Sequence, residues 1–475
     1  MTTSSDTAAP GKRRPLQLPE GFLLGASTAA YQIEGAVGED GRGVSIWDTF
    51  SHTPGKVRGG DTGDVACDSY HRFREDADLL AGLGLSAYRF SIAWPRIRPE
   101  GNGRVNQKGL DHYKALLETL HERSIAPVAT LYHWDLPQGL EDKGGWAERA
   151  TAEAFAEYAG IVAKALGDGV ARWITLNEPQ VSADHGYRTG THAPGISDLG
   201  KAAAANHHLL LAHGLATSAL RAVLPSGRPV GITLDLHPVR PAAKGIDDLV
   251  ATVEAEQNGC YLEPVLHGRY PSAARPQLVP GPQVVREGDL DLIKAPLDFL
   301  GINYYSPLYV RPGDWDALGH SETRRVGHPG VVTYHPPELE TTSMGWLVEP
   351  EGLYDLLQRL AKEQPGLDLY VTENGCAAED YVSTDGMVHD LERVRYLHRH
   401  LDASARAVAD GVPLRGYFVW SLLDNFEWAW GFQKRFGVAF VDFGDQRRIV
   451  KDSGRFLAEV AKAHAVPPLP ERWPR

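Results

Sequence analysis

Two glutamates stand out because of the residues around them. Glu178 lies in Leu-Asn-Glu-Pro, and Glu373 lies in Thr-Glu-Asn-Gly. Glycosidic cleavage needs such a pair, one carboxyl as acid and one as nucleophile or base. The two must differ in protonation. Arg89 could keep one carboxylate ionised and Tyr305 could hydrogen-bond it, whereas a glutamate on a more apolar wall would keep its proton. Polar and aromatic residues gather near them in the pattern of the chain, among them Gln32, His133-Trp134-Asp135, Asn177, Asn303-Tyr304-Tyr305, Asn374, Trp420 and Asp424–Trp428, the kinds of group a sugar needs. A sugar ring packs its C–H face on an aromatic plane, and its hydroxyls take hydrogen bonds from amides, carboxylates and imidazoles.

These residues share one place in the pattern of the chain. Eight short, nearly continuous apolar runs recur: Leu23–Ala29, Ala87–Ala93, Ala126–Tyr132, Arg172–Leu176, Val230–Leu236, Asp298–Tyr305, Asp368–Thr372 and Leu414–Trp420. Such runs suit strands buried on both faces of a parallel sheet. Gln32 follows the first run and Arg89 lies in the second. His133-Trp134-Asp135 ends the third, Asn177-Glu178-Pro179 the fourth and Asn303-Tyr304-Tyr305 the sixth. Glu373-Asn374-Gly375 ends the seventh, and Trp420 ends the eighth and leads to Asp424–Trp428. Helical patterns lie between the runs. Leu110, Tyr113, Leu117 and Leu120 form one, with Asn106 as its N-cap region. Phe155, Tyr158, Val162 and Leu166 form another, with Gly167 as C-cap, and His208–Val223 is a third.

Strands alternating with helices predict an α/β fold, a single (β/α)8 TIM barrel whose site sits at the C-terminal strand ends. A bare barrel needs about 250 residues, so about 225 of the 475 must lie in long βα loops that form the pocket. Thr53–Gly63 and Arg311–Pro337 are the expected excursions. Residues 1–16 read as a disordered N-terminal arm and residues 17–475 as the catalytic domain; Arg13-Arg14 has no apolar region after it to complete an export signal.

The formal charge of −13 argues against nucleic acid and anionic membranes as partners. No apolar stretch is long enough to span a bilayer. Cys67, Cys260 and Cys376 are too few and too scattered for a disulfide framework or a CxxC motif, which fits a reducing, cytoplasmic setting. His207-His208 point different ways on a helix, so no metal is expected, and no cofactor. Asp48, Asp64 and Asp68 read as helix-start residues, and Gly59-Gly60 and Gly101-Asn102-Gly103 as turns.

LLGASTAAYQIEGA, YRFSIAWPRI, TLYHWDLP, TLNEP, INYYS, TENG and WSLLDNFEW, in this order over about residues 17 to 460, resemble the motifs of glycoside hydrolase family 1, the β-glucosidases. The resemblance implies a retaining, exo-acting β-glycosidase with Glu178 as acid/base and Glu373 as nucleophile. Arg89 and Tyr305 would orient Glu373 and hold it ionised, and Asn177 would bind the hydroxyl beside the anomeric carbon. Gln32, His133, Trp134, Glu427 and Trp428 would bind the terminal sugar, Trp420 would lie beneath it, and Phe436 would close the pocket. His192 and Trp346 would line the entrance and aglycone site. The resemblance also implies a cis peptide at Trp420-Ser421, and a retaining enzyme holds its carboxyl groups about 5–5.5 Å apart. Expected partners are small β-glycosides or oligosaccharides, with a homo-oligomer left open.

Three positions depart from the pattern: Gln180 and Leu23 stand where aromatics are usual, and Cys376 follows the nucleophile motif. Two other readings remain. A 6-phospho-β-glycosidase would carry Ser and Lys where this chain has Glu427-Trp428, and a catalytically silent sugar-binding barrel would lack one or both glutamates.

Overall fold

The computed structural model describes residues 14–313 and 330–470. Eight parallel strands close into a barrel in chain order. They are β1 Leu23–Ser27, β2 Ala87–Ser91, β3 Ala126–Tyr132, β4 Arg172–Asn177, β5 Val230–Asp235, β6 Phe299–Asn303, β7 Asp368–Asn374 and β8 Leu414–Trp420. β8 returns to pair with β1, which removes the open edge. Each strand coincides with one apolar run. The architecture is the expected TIM barrel, and the runs are continuous because helices cover one face of each strand while the barrel interior buries the other.

The lower barrel is filled by large side chains set against glycines. Phe299, Tyr370 and Phe418 pack with Ala87, Val128 and Ile174 in one buried cluster. A Cβ on Gly25 would meet the Phe418 ring at 2.7 Å, and one on Gly231 would meet the Phe299 ring at 2.8 Å. With the bottom apolar and full, the polar side chains collect at the open top. There the pairing register shifts, between Ile174 and Asn177 against β5, and between Val371 and Glu373 against β6. A local register shift re-aims a side chain, and these shifts fall at the ends of the two strands that lead to Glu178 and Glu373.

Several boundaries differ from the sequence reading. The third helix starts at Leu199, not His208, because Lys201–Ala205 is alanine-rich and shows no apolar stripe to read; Asp198 caps it by accepting from the Lys201 N–H at 2.9 Å. Gly167 is the C-cap of Arg149–Leu166 as read, but its φ is −55°, so it caps without the left-handed turn and the chain runs on into a 3₁₀ turn. Asn106 does sit at the start of Gln107–Glu122, but its side chain donates to Asp40 and Arg96 carbonyls and does not cap the helix. Leu16, the last residue of the expected arm, already pairs with Val466 in a two-stranded ribbon that ties the two ends of the described chain; residues 1–13 lie outside the described residues. The Arg311–Pro337 excursion begins in a small sheet, Leu308–Pro312 between Val239–Pro241 and Val331–Thr333, and residues 314–329 lie outside the described residues.

Gly231→Ala should lower stability by about 2–3 kcal/mol in a denaturant titration, because the new methyl has no void to enter. Gly38→Ala, where a Cβ meets nothing within 4 Å, should stay within about 0.5 kcal/mol of the parent.

Candidate active site

The mouth of the barrel is organised around Arg89, whose side chain is fully buried on β2. One terminal nitrogen donates to Glu373 Oε1, and the other donates to Asn177 Oδ1 at 2.6 Å. Tyr305 donates to the second Glu373 oxygen at 2.6 Å. A guanidinium can only donate, so Asn177 must turn its oxygen towards it and its NH₂ towards His133 Nε2, 3.1 Å away. His133 Nε2 therefore accepts, and a neutral ring carries its proton on Nδ1. Burial, helped by the charge of Arg89, pushes the His133 pKa well down, which keeps the ring neutral.

Glu178 begins the short helix Pro179–Ala183 in the left-handed region, at φ 45°, and its backbone N–H donates to Thr233 O at 3.0 Å. Asn303, at the end of β6, donates to Glu178 Oε1 at 2.6 Å. Two more residues of the site, Trp134 at φ 78° and Trp428 at φ 49°, also have positive φ. Non-glycine residues in this region cost of order 1–3 kcal/mol each and persist where their surroundings fix them. Trp134 is fixed by Nε1 donating to Asn177 O at 3.1 Å and by its ring against Trp428, with centroids 4.5 Å apart. The Trp420-Ser421 peptide is cis.

These groups enclose a cavity of about 240 Å³. His133, Trp134, Glu178, His192, Tyr305, Trp346, Glu373, Trp420, Glu427, Trp428 and Phe436 line it. Arg89, Asn177 and Gln32 are buried beside these residues, and Gln32 hydrogen-bonds Asn425, Phe426 O and Glu427. The sequence thus named most of the wall. It gave no role to Asn303, and it missed Asp235, His185, Val181, Met344 and Trp430. Asp235 ends β5, so the rule applied to the other strand ends would have found it. Met344 and Trp430 lie in loops and carry no such signal. A neighbouring cavity of about 420 Å³ shares Met344, Trp346 and Trp430 with this one.

The loop after β8 is held by buried charge. Lys451 donates to Asp380 at 2.5 Å and to Asp424 at 2.6 Å; Arg435 also reaches Asp424, and Arg393 reaches Asp380. This ties the segment bearing Glu427, Trp428 and Phe436 to the segment following Glu373. Cys376 lies within that tie: its carbonyl accepts from Arg393 Nε, and burial pushes its thiol up to about 12. At Gln180 the amide donates to Asp235 O at 2.5 Å. Leu23 packs at the edge of the lower barrel cluster. His207 pairs with Asp289 and Tyr270, and His208 with Trp146 O, so both serve the packing of their helix. Among the capping aspartates, Asp48 completes a capping box with Ser45, whereas Asp68 bonds His71 and Asp64 bonds His52.

Burial also raises Glu373, against the charge of Arg89 and the hydrogen bonds from Tyr305, Arg89 and Asn303, all of which favour the carboxylate. For Glu427, burial with the Glu373 charge pushes the pKa up to about 8, and the Gln32 hydrogen bond opposes this.

Fold and site together define a class: barrel hydrolases that act on sugars. The glycosyl hydrolase family 1 model matches residues 15–466. Beta-glucosidase A of Thermotoga maritima is 47% identical, over 94% of this chain and 98% of its own. The 1,4-beta-D-glucan glucohydrolase of Thermotoga neapolitana is 46% identical over the same shares. The solved structure of the Thermotoga maritima beta-glucosidase in complex with deoxynojirimycin superposes with a TM-score of 0.87 at 46% identity, covering 94% of this chain and 99% of that one. The chain belongs to glycosyl hydrolase family 1.

Folded Glu427 keeps a proton that the unfolded chain releases near its ordinary pKa of about 4.3. Stability should therefore fall as pH rises from that value towards about 8 and level off above it. In Glu427→Gln this part of the decline should vanish, as read from denaturation midpoints between about pH 5 and about pH 8.

Proposed function

We propose that the protein is a retaining β-glucosidase that removes terminal non-reducing β-D-glucosyl residues by double displacement. The observation that carries the reading is the treatment of Glu373: Arg89 and Tyr305 each donate to one of its oxygens, which supports an ionised, fixed nucleophile. In the first step a Glu373 oxygen bonds the anomeric carbon while the glycosidic C–O bond breaks, and the Glu178 proton goes to the departing oxygen. In the second, Glu178 takes a proton from water, the water oxygen bonds the anomeric carbon, and Glu373 leaves as a carboxylate. Two inversions give net retention, and a carboxyl separation of about 5–5.5 Å belongs to this reading.

Trp420 lies under the sugar. Gln32, His133, Trp134, Asn177, Glu427 and Trp428 hold its hydroxyls, Phe436 closes the pocket, and His192 and Trp346 face the leaving group. Short β-linked glucans, as released in cellulose breakdown, fit this assignment. The acidic side chains Glu178, Asp235, Glu373 and Glu427 line the cavity, and no lysine or arginine does so among the described residues, so no cation there could receive a phosphate. That is a poor receptor for a 6-phosphate, which disfavours the phospho-glycosidase reading. The presence of both glutamates disfavours the silent barrel. Three buried free cysteines support a cytoplasmic setting. Among the described residues no helix is long and apolar enough to cross a membrane.

Glu373→Gly should abolish turnover of aryl β-glucosides, and azide should restore it with α-glucosyl azide as product; near-parental rates without azide would reject the nucleophile. In Glu178→Ala, poor leaving groups should lose about 10²–10⁴-fold in kcat/KM while activated aryl groups lose far less, because only the former need a proton in the transition state. Equal losses in the two series would reject the acid/base role.

A further inference from the structure

Asn303 does more than fill the wall. Its Nδ2 donates to Asn177 Oδ1 at 3.1 Å and to Glu178 Oε1 at 2.6 Å, and its Oδ1 accepts from Thr372 Oγ1 at 2.8 Å. Thr372 in turn accepts from Thr233 Oγ1 at 3.3 Å. Side-chain amides are commonly ambiguous in orientation, but this one is not. Arg89 fixes the Asn177 oxygen towards itself and towards Asn303, so a flipped Asn303 would aim its own oxygen at two acceptors. The two glutamates thus sit at the ends of one hydrogen-bonded chain, Glu373–Arg89–Asn177–Asn303–Glu178, whose polarity is set by the guanidinium.

Building on the acid/base role proposed for Glu178, we infer that Asn303, oriented by Thr372, is the positioning residue that fixes which Glu178 oxygen carries the working proton and favours the carboxylate form needed in the second step. Oε1 accepts from Asn303 in both half-reactions, so the proton travels on Oε2. A donated hydrogen bond stabilises the ionised carboxyl over the protonated one. Without it, Glu178 holds its proton to higher pH: protonation of the leaving group survives further into the alkaline range, and removal of a proton from water becomes harder.

The test compares the parent with Asn303→Ala and with Thr372→Val, which leaves Glu178 untouched and removes only the hydroxyl that orients the amide. The alkaline limb of kcat/KM against pH for a poor-leaving-group β-glucoside should move up by about one pH unit in Asn303→Ala, and by less in the same direction in Thr372→Val. Turnover of a dinitrophenyl β-glucoside, limited by the second step, should fall about tenfold at neutral pH in Asn303→Ala. If Asn303→Ala does not fold, the Thr372→Val limb decides alone. Limbs that stay at the parental pH, with only a uniform loss of rate, overturn the inference. Labelling with a 2-deoxy-2-fluoro glucoside separates this from the underlying reading. A parent labelled at Glu373 with unshifted variants overturns the role of Asn303 alone, whereas a parent that is not labelled overturns the retaining mechanism and this role together.

Discussion

A guanidinium buried at the top of the barrel is the constraint on which the rest of the site depends. Arg89 is fully buried, and its Nε finds no hydrogen-bond acceptor among the described residues. Burying a charge in this way is costly, and a buried pair seldom repays its desolvation in stability. Its return is orientation. Because Arg89 can only donate, it fixes Glu373, then the amide of Asn177, and through that amide the tautomer of His133 and the direction of Asn303. One side chain on β2 thereby determines the hydrogen-bonding sense of groups on β4, β6 and β7 and of His133 just past β3.

The barrel is built to present that charge. Its lower half is apolar and filled, with glycines admitting Phe299 and Phe418, so the strands are held firmly from below. Its upper half carries register shifts and left-handed residues that aim side chains inward. The aromatic wall falls into two groups. Trp134, Trp428 and His192 pack together on one side, and Tyr305, Trp346 and Phe436 on the other. The second salt-bridge network, around Asp380, Asp424 and Lys451, holds the loop that brings Glu427 and Trp428 to the site.

Much of this was legible in the chain. All eight barrel strands are buried on both faces, and that leaves a run of apolar residues with no need of tertiary information. The rule that barrel sites gather at strand ends then picked out Arg89, Glu178, Tyr305 and Glu373 without a coordinate. The rule failed where it was not applied, at Asp235, and where the wall comes from loops, at Met344 and Trp430. It also failed on the helix starting at Leu199: its first turn is exposed and the next is alanine-rich, so no apolar stripe marks its beginning.

What the sequence determined by itself was the inventory: eight buried strands, their order, the aromatic and carboxylate residues at their ends, and a family whose motifs they match. These follow from local patterning, because burial on both faces and the residue types at strand ends are written along the chain. What only the tertiary structure decided was the wiring. That Arg89 serves Glu373 and Asn177, that Asn303 serves Glu178, and that Lys451 reaches across to Asp380 and Asp424 depend on pairs far apart in sequence. Hydrogen bonds are directional and short, so which donor meets which acceptor is fixed only when the closed barrel sets the distances between strands.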